Sequence, residues 1–249
     1  MYSVKITLTP VGSLSGERAD QDEGLDSIWY YLACLYKNGQ ILRDYEVTRN
    51  NEVIAILVTS STTDALDERY NNIYAQEYGA QVKQFFDMSL EIVGQAEGHG
   101  GSCSCEQSSW YVLMPMYGSP TSPVVCADCG DRKPVYKLPY LFGEDEHFAI
   151  LGWAEAYNSV DKLWFYGLSD RFTYRQMSKA DSQRSVIGRE IAAELEKQTR
   201  TAVYYHLFYN PGKVADRCPV CGSAWEPVDC AGEAMVRCQE CRLIADGDQ

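Results

Sequence analysis

QILRDYEVT at residues 40–48 and EVIAILVT at 52–59 flank Asn50-Asn51, and their reading decides the fold of the first half of the chain. Both runs are rich in β-branched and apolar residues, and an asparagine pair accepts the left-handed backbone of a tight turn. The stretch therefore predicts a β-hairpin. Working outward, Asn38-Gly39 stops a helical run over residues 29–36 on one side. On the other, Thr63-Asp64 caps a helix in which Leu66, Tyr70, Ile73, Tyr74, Val82, Phe85 and Phe86 recur at helical spacing. YSVKITLTP at 2–10 and SLEIVGQA from Ser89 read as strands at the two ends, with an acidic loop through Glu17, Asp20, Asp22, Glu23 and Asp26 after the first. The order βαββαβ is the split βαβ, ferredoxin-like arrangement, in which two helices cover one face of an antiparallel sheet.

A glycine-rich break, GHGGS at 98–102, opens the second half, where the cysteines gather. WYVLMPM at 110–116, KLWFYG at 162–167 and AVYYHLF at 202–208 read as strands, and 144–157 and 182–199 as helices. The expected class is α+β: a ferredoxin-like domain over 1–97, a mixed α/β domain over 98–210, and a zinc ribbon over 211–249.

The chain has 249 residues, 45% of them apolar and 23% charged, which suits a folded soluble protein. No apolar run approaches the roughly 20 residues that cross a bilayer, and the alternating N-terminus does not read as a signal peptide, so a cytoplasmic location without membrane contact is expected. A net charge of −13 repels phosphate backbones and anionic lipid and favours a basic partner. Ten cysteines in a reducing compartment point to metal rather than to disulfides.

Cys218-Pro-Val-Cys221-Gly222 is followed by Cys238-Gln-Glu-Cys241, the paired CxxC spacing of a structural zinc ribbon. Two intervening residues let one turn aim both thiolates at a single ion, and Gly222 can take the left-handed conformation that closes it. Four thiolates complete a tetrahedral zinc, leaving no open position for substrate. A second set, Cys103-Ser-Cys105 with Cys126-Ala-Asp-Cys129-Gly130, predicts a second zinc. Alternatively, His99 replaces one of the CxC thiols, or Cys126 and Cys129 form a reducible pair. Cys34 and Cys230 read as packing residues.

No catalytic motif is present. HExxH, GxSxG, GxxxxGK[ST] and a strand-linked GxGxxG are absent, and no HxE precedes the CxxC pairs as in the zinc deaminases. His147, after Glu144-Asp145-Glu146, reads as a capped surface histidine, and His206 as part of an aromatic strand. The expectation is a protein that is not an enzyme.

Four basic against seven acidic residues give the region 211–249 a net charge of −3, a poor surface for phosphate. Arg171, Arg175, Lys179, Arg184 and Arg189 face only Asp181 between 171 and 189, so this stretch, with Phe172 and Tyr174 interleaved, is the anion-binding candidate. Its bland reading is a solvated face pairing with acidic surface elsewhere.

CPVCG at 218–222, YKLPYL at 136–141, DRFTYRQMS at 170–178 and GREIAAELEKQTRTAVYYHLF at 188–208 together resemble an uncharacterised bacterial family. Its members are described as zinc-ribbon-containing proteins with a suggested nucleic-acid-binding role. The resemblance implies a bacterial cytoplasmic protein with a C-terminal ribbon and supplies no catalytic residues. The expected function is a zinc protein that binds another protein, for example as an immunity-type inhibitor of a basic toxin. The alternative is nucleic-acid binding through 171–189, whose affinity would fall steeply with salt.

Overall fold

The computed structural model describes residues 1–11, 18–98, 100–115, 121–210 and 212–247, with the backbone alone for 18–21. Two compact units emerge. Met1–Ser102 with Pro134–Tyr136 and Asp145–His147 forms the first, and the remaining described residues form the second.

In the first unit β1 (Tyr2–Pro10), α1 (Arg18–Lys37), β2 (Glu46–Asn50), β3 (Val53–Ser60), α2 (Ile73–Phe85) and β4 (Phe86–Gln95) follow one another. The sheet order is β2-β3-β1-β4 with every neighbouring pair antiparallel, the ferredoxin-like layout. Alternation places Val4, Ile6 and Leu8 of β1 and Ile54, Ile56 and Val58 of β3 on one face. They bury there against Ile28, Leu32 and Leu35 of α1 and Ala75 and Val82 of α2.

Three local expectations are corrected. The acidic stretch read as a loop lies within α1 from residue 18 onward; Glu17 falls outside the described residues. Residues 40–45 are not strand, Ile41 making only an isolated bridge to Ser60. The second helix starts at Ile73 rather than near Thr63, because Asn72 is the cap, its side chain accepting from the Ala75 N–H at 2.8 Å. Asp64 instead ties the preceding loop together, accepting from Thr62 Oγ1 at 2.6 Å, Arg69 Nη2 at 3.0 Å and the Tyr136 hydroxyl at 3.1 Å.

His147 is likewise no surface residue: it is 2% exposed, and its N–H donates to the Lys37 carbonyl at 2.9 Å. Burial pulls its imidazole down to about 4 from the ordinary 6.5. The unfolded chain then binds a proton between these values that the folded unit refuses. The resulting stability is complete above pH 6.5 and is lost as pH falls towards 4. Urea unfolding of the first unit should lose about 2 to 3 kcal/mol between pH 7 and pH 4.5 on this account. His147→Gln should flatten that part of the curve, and an equally steep curve in the variant would assign the loss to other groups.

The second unit contains β5 (Trp110–Leu113), β6 (Val124–Cys126), α3 (Phe148–Phe165), α4 (Asp170–Ser178), α5 (Gln183–Thr199), β7 (Ala202–His206), β8 (Glu226–Cys230), β9 (Glu233–Cys238) and β10 (Leu243–Asp246). One six-stranded sheet runs β6-β5-β7-β10-β9-β8, parallel at β5/β7 and β7/β10 and antiparallel elsewhere. Strands β8, β9 and β10, from the region expected to form a separate ribbon, therefore continue the sheet. Tyr111, Leu113, Val203, Tyr205 and Leu243 bury on one face with Trp153, Tyr157, Ile191 and Leu195 of the helices, while Val112, Val125, Tyr204, Met235 and Ile244 bury on the other.

KLWFYG is not a strand. Residues 162–165 finish α3, in which Trp153, Tyr157, Val160 and Trp164 keep helical spacing against the core and leave Leu163 and Phe165 exposed. DRFTYRQMS, read only as a basic stretch, is α4. No helix among the described residues is long and apolar enough to cross a membrane.

Candidate metal centres

Two groups of four cysteines can hold a metal ion. Cys103, Cys105, Cys126 and Cys129 form one, Cys218, Cys221, Cys238 and Cys241 the other, and within each group all sulfurs lie within 4.8 Å of one another. A tetrahedral ion at about 2.3 Å from each sulfur needs sulfurs about 3.8 Å apart, so both sets require only a small contraction.

The first centre hangs on the short β5/β6 pair, where Tyr111 stands opposite Cys126 at the strand end. The chain then turns back: the Gly130 N–H donates to the Cys126 carbonyl at 2.9 Å, and Gly130 takes a positive φ of 76°. The Cys103 N–H donates to the Arg132 carbonyl at 2.9 Å, which brings the CxC segment alongside this knuckle. Cys103 and Cys126 are buried, Cys105 is half-buried and Cys129 exposed.

The second centre repeats the knuckle, with the Gly222 N–H on the Cys218 carbonyl at 2.9 Å and φ 73° at Gly222. Its other half comes from the end of β9 and the turn into β10, which pairs Leu243 with Cys238. Cys218 and Cys238 are buried within the main core of the unit, and Cys221 is exposed.

Burial pushes the Cys103 thiol up to about 12 and raises Cys241 as well. Cys126 is opposed by burial too, yet hydrogen bonds from Ser108 and from the backbone of Cys129 and Asp128 bring it down to about 7. Hydrogen bonds from the Ser223 hydroxyl and N–H bring Cys221 to about 6. Cys126 and Cys221 are thus poised to ionise beside thiols, Cys103 and Cys241, that burial holds protonated, and a bound metal would supply the charge that ionises those.

His99 lies outside the described residues, so its part in the first centre is not described. Cys34 sits half-buried on α1 and Cys230 buried at the end of β8. Of the basic stretch, Arg171, Arg175 and Lys179 are exposed and Arg189 is half-buried. Arg184 is buried, its guanidinium 3.7 Å from the centroid of the Tyr157 ring, so the five cations do not share one surface. Sequence reasoning missed Ser108, whose Oγ lies 3.0 Å from Cys126 Sγ, and Lys133, which donates to the Cys105 carbonyl. Neither carries a motif. It also missed a cavity of about 510 Å³ beside Cys129, lined by Asp131, Glu233 and Asp246 with Met114 and Met235.

The chain is 23% identical over 192 residues to an uncharacterised protein of Haemophilus influenzae, a match covering 73% of this chain and 92% of that one. It is 25% identical over 168 residues to a second from the same organism, covering 63% of this chain and 62% of that relative. Among solved structures it is similar to a Bacteroides thetaiotaomicron protein described as of unknown function, possible oxidoreductase (12% identity, TM-score 0.30, 37% of this chain and 95% of that one). It is also similar to a cofactor-independent oxygenase of Streptomyces nogalater (10% identity, TM-score 0.29, 40% of this chain and 100% of that one). The expectation of a protein that is not an enzyme is withdrawn: these neighbours are described as a possible oxidoreductase and an oxygenase, and the absence of a sequence motif excludes no reaction. At such TM-scores they assign no reaction to this chain. Residues 105–208, from Cys105 through α3, α4 and α5 to the strand β7, match the family described as a domain of unknown function, DUF2310.

Proposed function

We propose that the chain is a zinc-binding protein whose two four-cysteine centres hold its second unit in shape, and that it acts by docking a basic protein partner. The observation that carries the metal reading is the clustering of two complete sets of four sulfurs, each within 4.8 Å. Closed four-thiolate sites built on CxxC knuckles suit zinc before other divalent ions. The partner reading is supported by the net charge of −13 and by the cavity lined by Asp131, Glu233 and Asp246, whose carboxylates and thioether walls complement a lysine or arginine side chain.

Protein purified without added metal should contain two zinc ions per chain by elemental analysis, and one after replacing Cys103 and Cys126 by serine. Binding of a basic polypeptide should weaken with salt and with Asp131→Asn and Glu233→Gln together. Binding indifferent to both would remove the partner reading, and metal-free protein would remove the zinc reading. A second reading is favoured by one patch: Arg171, Arg175 and Lys179 are exposed beside exposed Phe172, a combination suited to a single-stranded nucleic acid. Affinity for such a strand that is unmoved by salt, or by reversing those three charges, would remove it.

A further inference from the structure

We infer that Lys133 is the counter-charge of the first cysteine centre, which is thereby built for a divalent ion held by thiolates. The inference rests on the metal reading above. Lys133 is 8% exposed, and its ammonium donates to the carbonyl of Cys105, a member of the centre. Its own N–H donates to the Val124 carbonyl at 2.8 Å, fixing it beside β6. Its neighbour Arg132 serves the centre through its backbone, its carbonyl accepting from the Cys103 N–H at 2.9 Å, while its half-buried guanidinium reaches the other end of the β5/β6 pair, donating to the Met114 carbonyl at 2.8 Å and the Ser122 carbonyl at 2.7 Å.

Among the described residues Lys133 has no carboxylate within ion-pair range. The acids of the knuckle lie elsewhere. Asp128 is exposed and accepts from the Ser109 N–H at 2.7 Å, and Asp131 is half-buried. Carbonyls satisfy the hydrogen bonds of a buried cation but leave its charge uncompensated. Four thiolates around a divalent ion carry a net charge of −2, part of which the Lys133 ammonium offsets. Four neutral thiols would leave that ammonium bare.

The second centre needs no such shell. Arg217, beside Cys218, is exposed and donates to the Gly222 carbonyl at 3.0 Å, and Arg242 pairs with Glu196 at 2.9 Å. The two centres therefore differ in their surroundings, one having a buried lysine without a carboxylate partner and the other an exposed arginine and an arginine already paired with Glu196.

Lys133→Gln tests this, because the amide keeps a donor for the Cys105 carbonyl while the charge is removed. Zinc is titrated out of the full chain with a chromophoric chelator, and the phase absent from a Cys103→Ser variant marks the first centre. In Lys133→Gln that phase should show affinity weakened about 10- to 100-fold, with the other phase unchanged and Lys133→Arg close to the original. Original affinity in Lys133→Gln would overturn the counter-charge role while leaving the zinc reading intact. An original chain that binds no zinc at all would overturn the zinc reading itself.

Discussion

Replacing Cys218 and Cys238 by serine should remove one metal ion per chain and unfold the second unit, while the first unit keeps its own transition. Structural zinc contributes about 10–16 kcal/mol in small metal modules, against a total stability of about 5–15 kcal/mol for a domain. Both sulfurs are buried in the main core of the unit, at 2% and 4% exposure, so the loss cannot stay at the surface. Few other apolar groups hold β8 and β9, whose residues are largely exposed or half-buried. Amide hydrogen exchange should show the protection of β8, β9 and β10 abolished and that of β7 reduced. A strong chelator acting on the unaltered chain should reproduce the same pattern. A variant that keeps two metal ions and an unchanged unfolding midpoint would show that the sulfurs merely pack.

Gly188→Ala should destabilise the second unit, although glycine to alanine inside a helix ordinarily stabilises by up to about 1 kcal/mol. A Cβ at this position of α5 would lie 2.3 Å from Tyr205 Cε2 and 2.7 Å from Trp153 Cζ2. Neither ring can easily step aside. The Tyr205 hydroxyl lies 3.2 Å from Ser185 Oγ, to which it donates, Trp153 Nε1 donates to the Arg184 carbonyl at 3.1 Å, and both side chains are buried. Overpacking of this kind costs about 1–3 kcal/mol or more. The melting temperature of the second unit should therefore fall by roughly 5–10 °C. A rise would mean that α5 stands further from β7 and α3 than the structure shows.

The first fold was legible because its hydrophobic pattern is local. In β1 and β3 the alternation of buried Val4, Ile6, Leu8 and Ile54, Ile56, Val58 is written directly in the residues. The start of α2 was not, because an asparagine at 72 and a threonine–aspartate pair at 63–64 are equally good caps in sequence. Only the network around Asp64 decides between them. KLWFYG misled because consecutive large apolar residues fit a strand as well as a helix end, and what decides is which of them touch the core. The cysteine sets were legible from spacing alone, since CxxC is a local geometry. Lys133 and Ser108 were not, because their relation to the sulfurs exists only after β5 and β6 have paired. The five basic residues of 171–189 share a stretch but not a surface. α5 turns Arg184 inward onto Tyr157, while Arg171, Arg175 and Lys179 face water.

The parallel seam between β7 and β10 has a consequence for synthesis on the ribosome. The Tyr205 N–H waits for the Arg242 carbonyl and the Leu207 N–H for the Ile244 carbonyl, so one edge of β7 stays bare after the strand itself has been made. At about 5–20 residues per second, that edge lies open for a few seconds of elongation. Such an edge invites pairing with neighbouring nascent chains on the same message. If the second centre binds metal as proposed, capture of the ion by the last knuckle closes that interval, and yield should then depend on metal supplied during translation as well as to the finished protein.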